Sequence, residues 1–133
     1  MIKNFEYSAP KTVKEALALL AQYKDEGKVI AGGESLLIQM RRGVAAPKYV
    51  IDIKGISALD YINFEPKEGL KIGCLTTHRA IETSPVIRDS FGVLSDMERK
   101  LASVEIRNWG TMGGNLCEAM PANDPPLVLM VLN

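Results

Sequence analysis

The stretch Lys28-Val29-Ile30-Ala31-Gly32-Gly33-Glu34-Ser35-Leu36-Leu37 decides the reading of this 133-residue chain. Lys28-Val29-Ile30-Ala31 reads as a short buried strand, Gly32-Gly33 as a tight turn, and Glu34 as the start of a helix carrying Leu36, Leu37 and Met40. Arg41 and Arg42 suit the negative C-terminal end of that helix, and Gly43 suits its cap. Glycines without a Cβ let the backbone turn sharply and approach a ligand closely. A turn feeding a helix N-terminus presents unpaired N–H groups, which favour an anion such as a pyrophosphate. Ser35 adds a neutral donor. A plain structural turn accounts for the same residues, and the stretch is neither the G-x-G-x-x-G fingerprint nor a Walker loop with its lysine.

Working outward, Ile2–Tyr7 predicts a strand, and Thr12-Val13-Lys14-Glu15 behind Pro10 predicts a capping box. Val13, Ala16, Leu17 and Leu20 then follow the spacing of one buried helical face, and Gly27 closes the unit. Tyr49–Ile53 predicts a third strand. Strands alternating with helices indicate a small parallel α/β unit. The pattern then changes. Leu59–Phe64, a turn at Pro66–Gly69 and Leu70–Cys74 predict an antiparallel hairpin. Thr76 or Thr77 caps a short helix through Ile81, Ser84-Pro85 opens the next, and a longer helix runs from Phe91 to about Leu101. The apolar Leu127–Leu132 predicts a final helix that reads as cut, or as completed by another chain.

Composition narrows the function. Sixteen basic residues balance sixteen acidic ones, so no global field draws the chain to nucleic acid or an anionic membrane. With 47% hydrophobic and 24% charged residues, the composition is globular. The longest apolar runs fall far short of the about 20 residues a membrane span needs, and the opening residues lack the apolar core of a secretory signal; the cytoplasm is the expected compartment. Cys74, Cys117 and His78 are too few to ligate an iron–sulfur cluster or a structural zinc. Electron transfer here would fall to an organic cofactor.

A second glycine-rich stretch, Thr111-Met112-Gly113-Gly114-Asn115, is expected as a loop whose adjacent glycines expose successive N–H groups as an anion nest. Thr111 and Asn115 bring side-chain hydrogen-bonding groups to the same place. Asp124 follows in a proline-flanked loop; its carboxylate could accept bonds from ribose or adenine groups, or cap the helix after Pro125.

The pair Ala31-Gly32-Gly33-Glu34-Ser35-Leu36 and Ile106-Arg107-Asn108-Trp109-Gly110-Thr111-Met112-Gly113-Gly114-Asn115-Leu116 resembles the FAD-binding subunit of molybdenum hydroxylases. That family includes the medium subunit of carbon monoxide dehydrogenase and the flavin domain of xanthine dehydrogenase. The similarity continues in Val50-Ile51-Asp52-Ile53, in Ile72-Gly73-Cys74-Leu75-Thr76-Thr77-His78, and from Pro121 to Asp124, so it spans essentially the whole chain in order.

The resemblance implies an α+β fold of the p-cresol methylhydroxylase/vanillyl alcohol oxidase type. A small α/β FAD-binding subdomain would cover 1–54, and a second, larger mixed-sheet subdomain 55–133, incomplete because family members continue further. It implies FAD as cofactor, bound by Val29, Ile30, Ala31, Gly32, Gly33, Glu34, Ser35 and Leu36, with Ala31 to Ser35 on the pyrophosphate. Thr111, Met112, Gly113, Gly114 and Asn115 would complete that grip, Leu101 would line the pocket, and Asp124 would contact the cofactor. Glu34 is expected to point away from the phosphates. The implied partners are a large subunit carrying the molybdenum cofactor, a small subunit carrying 2Fe–2S clusters, and a chain supplying the missing C-terminal part. FAD would relay electrons from the clusters to NAD or another acceptor, with substrate hydroxylation on the molybdenum subunit. No catalytic or metal-ligating residue is assigned to this chain.

Outside those motifs, His78 reads as a surface or capping residue, Cys117 as a small packed thiol, Trp109 as a packed aromatic, and Arg41-Arg42 as a solvated helix end. Two other functions remain open: a docking module that keeps the fold without FAD, and a stand-alone FAD oxidoreductase of the same fold. The R-N-x-G-T-x-G-G-N string and the lack of a candidate catalytic acid argue against the second.

Overall fold

The computed structural model describes residues 2–132. The chain divides into two compact units, Met1–Ala58 and Leu59–Asn133.

The first unit alternates strand and helix: β1 (Glu6–Ser8), α1 (Val13–Tyr23), β2 (Gly27–Ile30), α2 (Leu36–Arg42) and β3 (Tyr49–Asp52). Its sheet is wholly parallel in the order β1-β3-β2, with Glu6 opposite Tyr49 on one side and Gly27 opposite Tyr49 on the other. Parallel strands need a crossover, and α1 and the α2 segment provide them. The Thr12 hydroxyl accepts from the Glu15 amide, as a cap should, while Glu15 reaches back to the Lys11 amide rather than to that of Thr12. Gly43 ends α2 in the left-handed conformation at φ 74°.

Helix α1 turns a different face inward from the one its spacing suggests. Ala16 is buried and Leu19, Leu20 and Tyr23 are half-buried, whereas Val13 is exposed and Leu17 is 59% exposed. Both residue sets satisfy the same i, i+3, i+4, i+7 rule, so only the sheet chooses between them. The Tyr23 ring stacks on Tyr49 with centroids 3.8 Å apart, fixing the end of α1 over the start of β3. Ile30, Met40 and Val50 form the buried core, with Ile2, Leu36 and Ala45 packed against them.

The second unit begins with the antiparallel hairpin β4 (Ile62–Glu65) and β5 (Gly69–Ile72), Ile62 opposite Ile72. Six helices follow: α3 (His78–Thr83), α4 (Pro85–Ser90), α5 (Gly92–Lys100), α6 (Val104–Trp109), α7 (Met112–Glu118) and α8 (Asp124–Val131). Thr77 caps α3, Ser103 caps α6 and Thr111 caps α7, each hydroxyl accepting an amide of the first turn. Ile81, Ile87, Leu94 and Met112 form the core, flanked by residues of β4, β5 and α8. Among the described residues no helix is long and apolar enough to cross a membrane.

Candidate functional site

In the first unit the Gly32-Gly33 turn leaves β2 and enters α2. Gly33 has φ +83°, a conformation that favours glycine, and a Cβ there would lie 3.2 Å from both Ile30 Cδ1 and Leu37 Cδ1, which would have to give slightly. Among the described residues, none of the amides of Gly32, Gly33, Glu34, Ser35 and Leu36 donates to another group of the chain; the first amide of the helix engaged internally is that of Leu37, on Gly33 O at 3.1 Å. A folded chain pairs nearly all its buried N–H groups, and a run of unpaired donors at a helix start is suited to an anion. Val29 is exposed, Ile30 belongs to the core, and Ala31 through Leu36 are half-buried. The Ser35 hydroxyl accepts from Gln39 Nε2 at 3.3 Å.

Beside this segment lies an ion-pair network that sequence reading missed. The Ile53 amide donates to Ile30 O at 3.1 Å, which keeps the chain beyond β3 alongside the end of β2. Lys54 Nζ therefore sits 3.2 Å from the carbonyl of Ala31 and 2.7 Å from Asp52 Oδ2. The Lys54 amide and the Tyr7 hydroxyl also donate to the Asp52 carboxylate, at 2.9 and 2.5 Å. Burial of Asp52 pushes its carboxyl upward, but the bonds from Lys54 and Tyr7 outweigh this and hold it below the usual range. The bond to Asp52, with burial adding, raises the Tyr7 phenol. The signal present in sequence was the Asp-x-Lys spacing at a strand end; that Tyr7 joins it follows from β1 lying beside β3.

The second glycine segment departs from expectation. Thr111 to Asn115 is no loop but the cap and first turn of α7, and no nest forms there. The Met112 amide donates to Thr76 O at 3.0 Å, Gly113 to Cys74 O at 2.9 Å, Gly114 to Thr111 Oγ1 at 3.1 Å and Asn115 to Thr111 O at 3.0 Å. The donors expected for an anion are therefore already engaged. Gly113 serves contact rather than conformation: a Cβ there would lie 2.5 Å from Cys74 Cβ. Met112 packs in the core, Thr111 is buried, and Gly114 is exposed. What this turn does offer is Asn115 Oδ1, a buried acceptor with no partner among the described residues.

Asn123 Nδ2 donates to Asn115 O at 3.2 Å, tying α7 to the start of α8. Asp124 is the exposed first residue of α8, and Asn123, not Asp124, occupies its cap position. The half-buried Leu101 ends α5. Arg107 fixes the turn that follows: Nη1 donates to Leu101 O at 2.7 Å and Ala102 O at 3.1 Å, and Nε to Glu82 Oε2 at 3.0 Å. Ala102 is held at φ 44°, and the Arg79 guanidinium shares the Glu82 carboxylate. Burial raises Glu82, but the two arginines hold its carboxyl below the ordinary range.

Three residues read as unremarkable behave otherwise. His78 is only 3% exposed, and its Nδ1 lies 2.8 Å from Oε2 of the wholly buried Glu98. The His78 amide donates to Gly110 O, and a Cβ on Gly110 would lie 3.0 Å from the imidazole, so the ring packs beneath the start of the Gly110–Asn115 stretch. Trp109, expected to pack, is 61% exposed, and Cys117, expected to be enclosed, is exposed. Both follow from α6 and α7 being short helices that bury one narrow face. Arg41 and Arg42 are exposed at the end of α2. Among the described residues no group of three or more His, Cys, Asp or Glu is placed to hold a metal ion.

Residues 3–133 match the family described as the FAD binding domain in molybdopterin dehydrogenase, and the chain belongs to that family. It is 38% identical over 123 residues to the carbon monoxide dehydrogenase medium chain of Hydrogenophaga pseudoflava, spanning 92% of this chain and 42% of that one. With the nicotinate dehydrogenase FAD-subunit of Eubacterium barkeri it shares 43% identity over 124 residues, again 92% of this chain and 42% of the relative. Its fold matches a structure of carbon monoxide dehydrogenase from Hydrogenophaga pseudoflava with a TM-score of 0.90 at 38% identity, over 95% of this chain and 44% of that one. Quinoline 2-oxidoreductase from Pseudomonas putida 86 matches at 0.89 and 28% identity, with the same coverage. The chain thus spans less than half the length of these relatives.

Proposed function

We propose that this chain is the FAD-binding part of an electron-transfer subunit in a cytoplasmic molybdenum-containing hydroxylase or dehydrogenase complex. Its partners are a large subunit bearing the molybdenum cofactor and a small subunit bearing 2Fe–2S clusters. Electrons arrive from those clusters and leave to NAD or another acceptor. When bound, FAD supplies the redox chemistry; this chain's residues bind and orient it.

The observation that carries the reading is the run of unpartnered amides from Gly32 to Leu36, in a chain of the FAD-binding family. Those donors suit the FAD diphosphate, which the backbone can approach closely because Gly33 has no side chain. From the second subdomain, 55–133, we assign contacts to Leu101, Asp124 and the exposed part of the Thr111–Asn115 turn. The orphan Asn115 Oδ1, buried within that turn, would suit a hydroxyl or amino donor of the adenosine half if the turn shifts to admit it. Met112 and Gly113 serve by placing that turn, since their amides are engaged and Met112 lies in the core. Residues facing the isoalloxazine come from the further half that the relatives possess, on this polypeptide or a companion chain.

Titration of the 133-residue chain with FAD, followed by flavin fluorescence and Trp109 quenching, tests the reading, with FMN as the control because it lacks the adenylate. Saturable uptake of FAD but not FMN is expected. Equal uptake of both removes the adenylate–diphosphate site, and uptake of neither favours a docking module.

A further inference from the structure

Lys54 is the counter-ion of the buried Asp52 carboxylate and also lies against the first glycine turn. A lysine on a partly exposed stem ordinarily keeps a mobile, hydrated ammonium. Yet Lys54 Nζ, on a side chain 41% exposed, is held by Asp52 Oδ2 at 2.7 Å and by the Ala31 carbonyl at 3.2 Å. Asp52 is itself fixed by the Tyr7 hydroxyl and the Lys54 amide. An ammonium has three protons to donate. Two are directed at those oxygens, and among the described residues the third has no acceptor. Ala31 immediately precedes Gly32, where the run of unpartnered amides begins. Backbone amides supply direction but only partial charge, and Glu34 places a carboxylate within the same stretch.

We propose that Lys54 is a direct ligand of the FAD diphosphate, with Asp52 and Tyr7 as the residues that position its ammonium. The proposal rests on the diphosphate reading of Gly32–Leu36 and adds to it the cation that reading lacked. Asp52 neutralises part of the ammonium charge, but it also prevents the flexible stem from carrying that charge away into solvent. The remaining N–H is then left for a charge-assisted bond to a phosphate oxygen.

The test is FAD titration of the full chain and its variants by flavin fluorescence, from about 0.05 to 0.5 M salt, over which screening shortens from beyond to well within about 10 Å. Loss of a charge-assisted bond predicts that Lys54→Met binds FAD about ten- to a hundredfold more weakly. Its affinity should also fall less steeply with salt, a change that loss of structure alone does not produce. Lys54→Arg should keep most of the affinity, Asp52→Asn should lie between wild type and Lys54→Met, and Lys14→Met on α1 should match wild type. Inorganic pyrophosphate should displace FAD from wild type more effectively than it does from Lys54→Met. Wild type and Lys54→Met binding FAD equally, with the same salt dependence, overturns the role of Lys54 and leaves the loop reading standing. Failure of wild type to take up FAD overturns both.

Discussion

Cys74 occupies the space that a side chain on Gly113 would need. Its Cβ lies 2.5 Å from where a Cβ on Gly113 would project, while its carbonyl accepts the Gly113 amide at 2.9 Å. The contact sets how closely the first turn of α7 approaches the segment after β5. Gly113→Ala therefore forces two backbones apart, and overpacking of this kind costs about 1–3 kcal/mol. Urea unfolding should report that loss, with FAD affinity falling as Asn115 shifts. A Gly113→Ala chain as stable as wild type would mean the close approach is relieved without cost.

Gly33→Val should act on the cofactor more than on the fold. A β-branched residue at φ +83° meets about 1–2 kcal/mol of backbone strain, and its side chain would press on Ile30 and Leu37. The turn must relax, and the amides from Gly32 to Leu36 lose their common aim. We expect circular dichroism to remain close to wild type while FAD binding is lost. Retained affinity would falsify the cradle reading.

Arg107→Ala should be far more damaging to the fold. It leaves Glu82 with Arg79 alone and strands the Leu101 and Ala102 carbonyls in a part of the second unit where Arg107 is 6% exposed. Each buried acceptor left without its donor costs about 1–3 kcal/mol. Arg107→Lys should recover little, because a single ammonium does not reproduce a fork that reaches three acceptors. Thermal unfolding of the two variants checks this; near-complete rescue by lysine would show that charge, not geometry, holds the turn.

Stability should depend on pH in a defined direction. Asp52 and Glu82 are both held below the ordinary carboxyl range in the folded chain. Groups depressed in this way contribute stability that is fully present above the unfolded value of about 4 and is lost as pH falls through the folded value. Urea midpoints should hold level from about pH 7 to 5 and drop below about 4. Asp52→Asn should flatten part of that drop. Tyr7 is shifted the other way, so its contribution is present below its unfolded value of about 10 and lost as pH rises through the folded one. Tyr7→Phe should remove that alkaline loss, and an unchanged alkaline limb would place its origin elsewhere.

What the sequence by itself determined lies within reach of a few residues along the chain. The Thr12 cap, the left-handed Gly43, the β4–β5 hairpin and the helix opened by Pro85 depend on near neighbours along the chain, and each was legible. The ordered motifs around Gly32-Gly33 and Gly113-Gly114 were enough to identify the family. Tertiary structure decided what two distant segments do to one another. The order β1-β3-β2 sets Tyr7 and Asp52, 45 positions apart, in contact. The same holds for His78 with Glu98 and Arg107 with Glu82, at separations of 20 and 25. The second glycine stretch shows the limit most clearly. Its composition suited a loop, but Thr76 O and Cys74 O accept its first amides, and a turn so anchored becomes helix. Which partner a backbone group finds is settled by the closing of long loops and the packing that rewards it, and no local pattern encodes that choice.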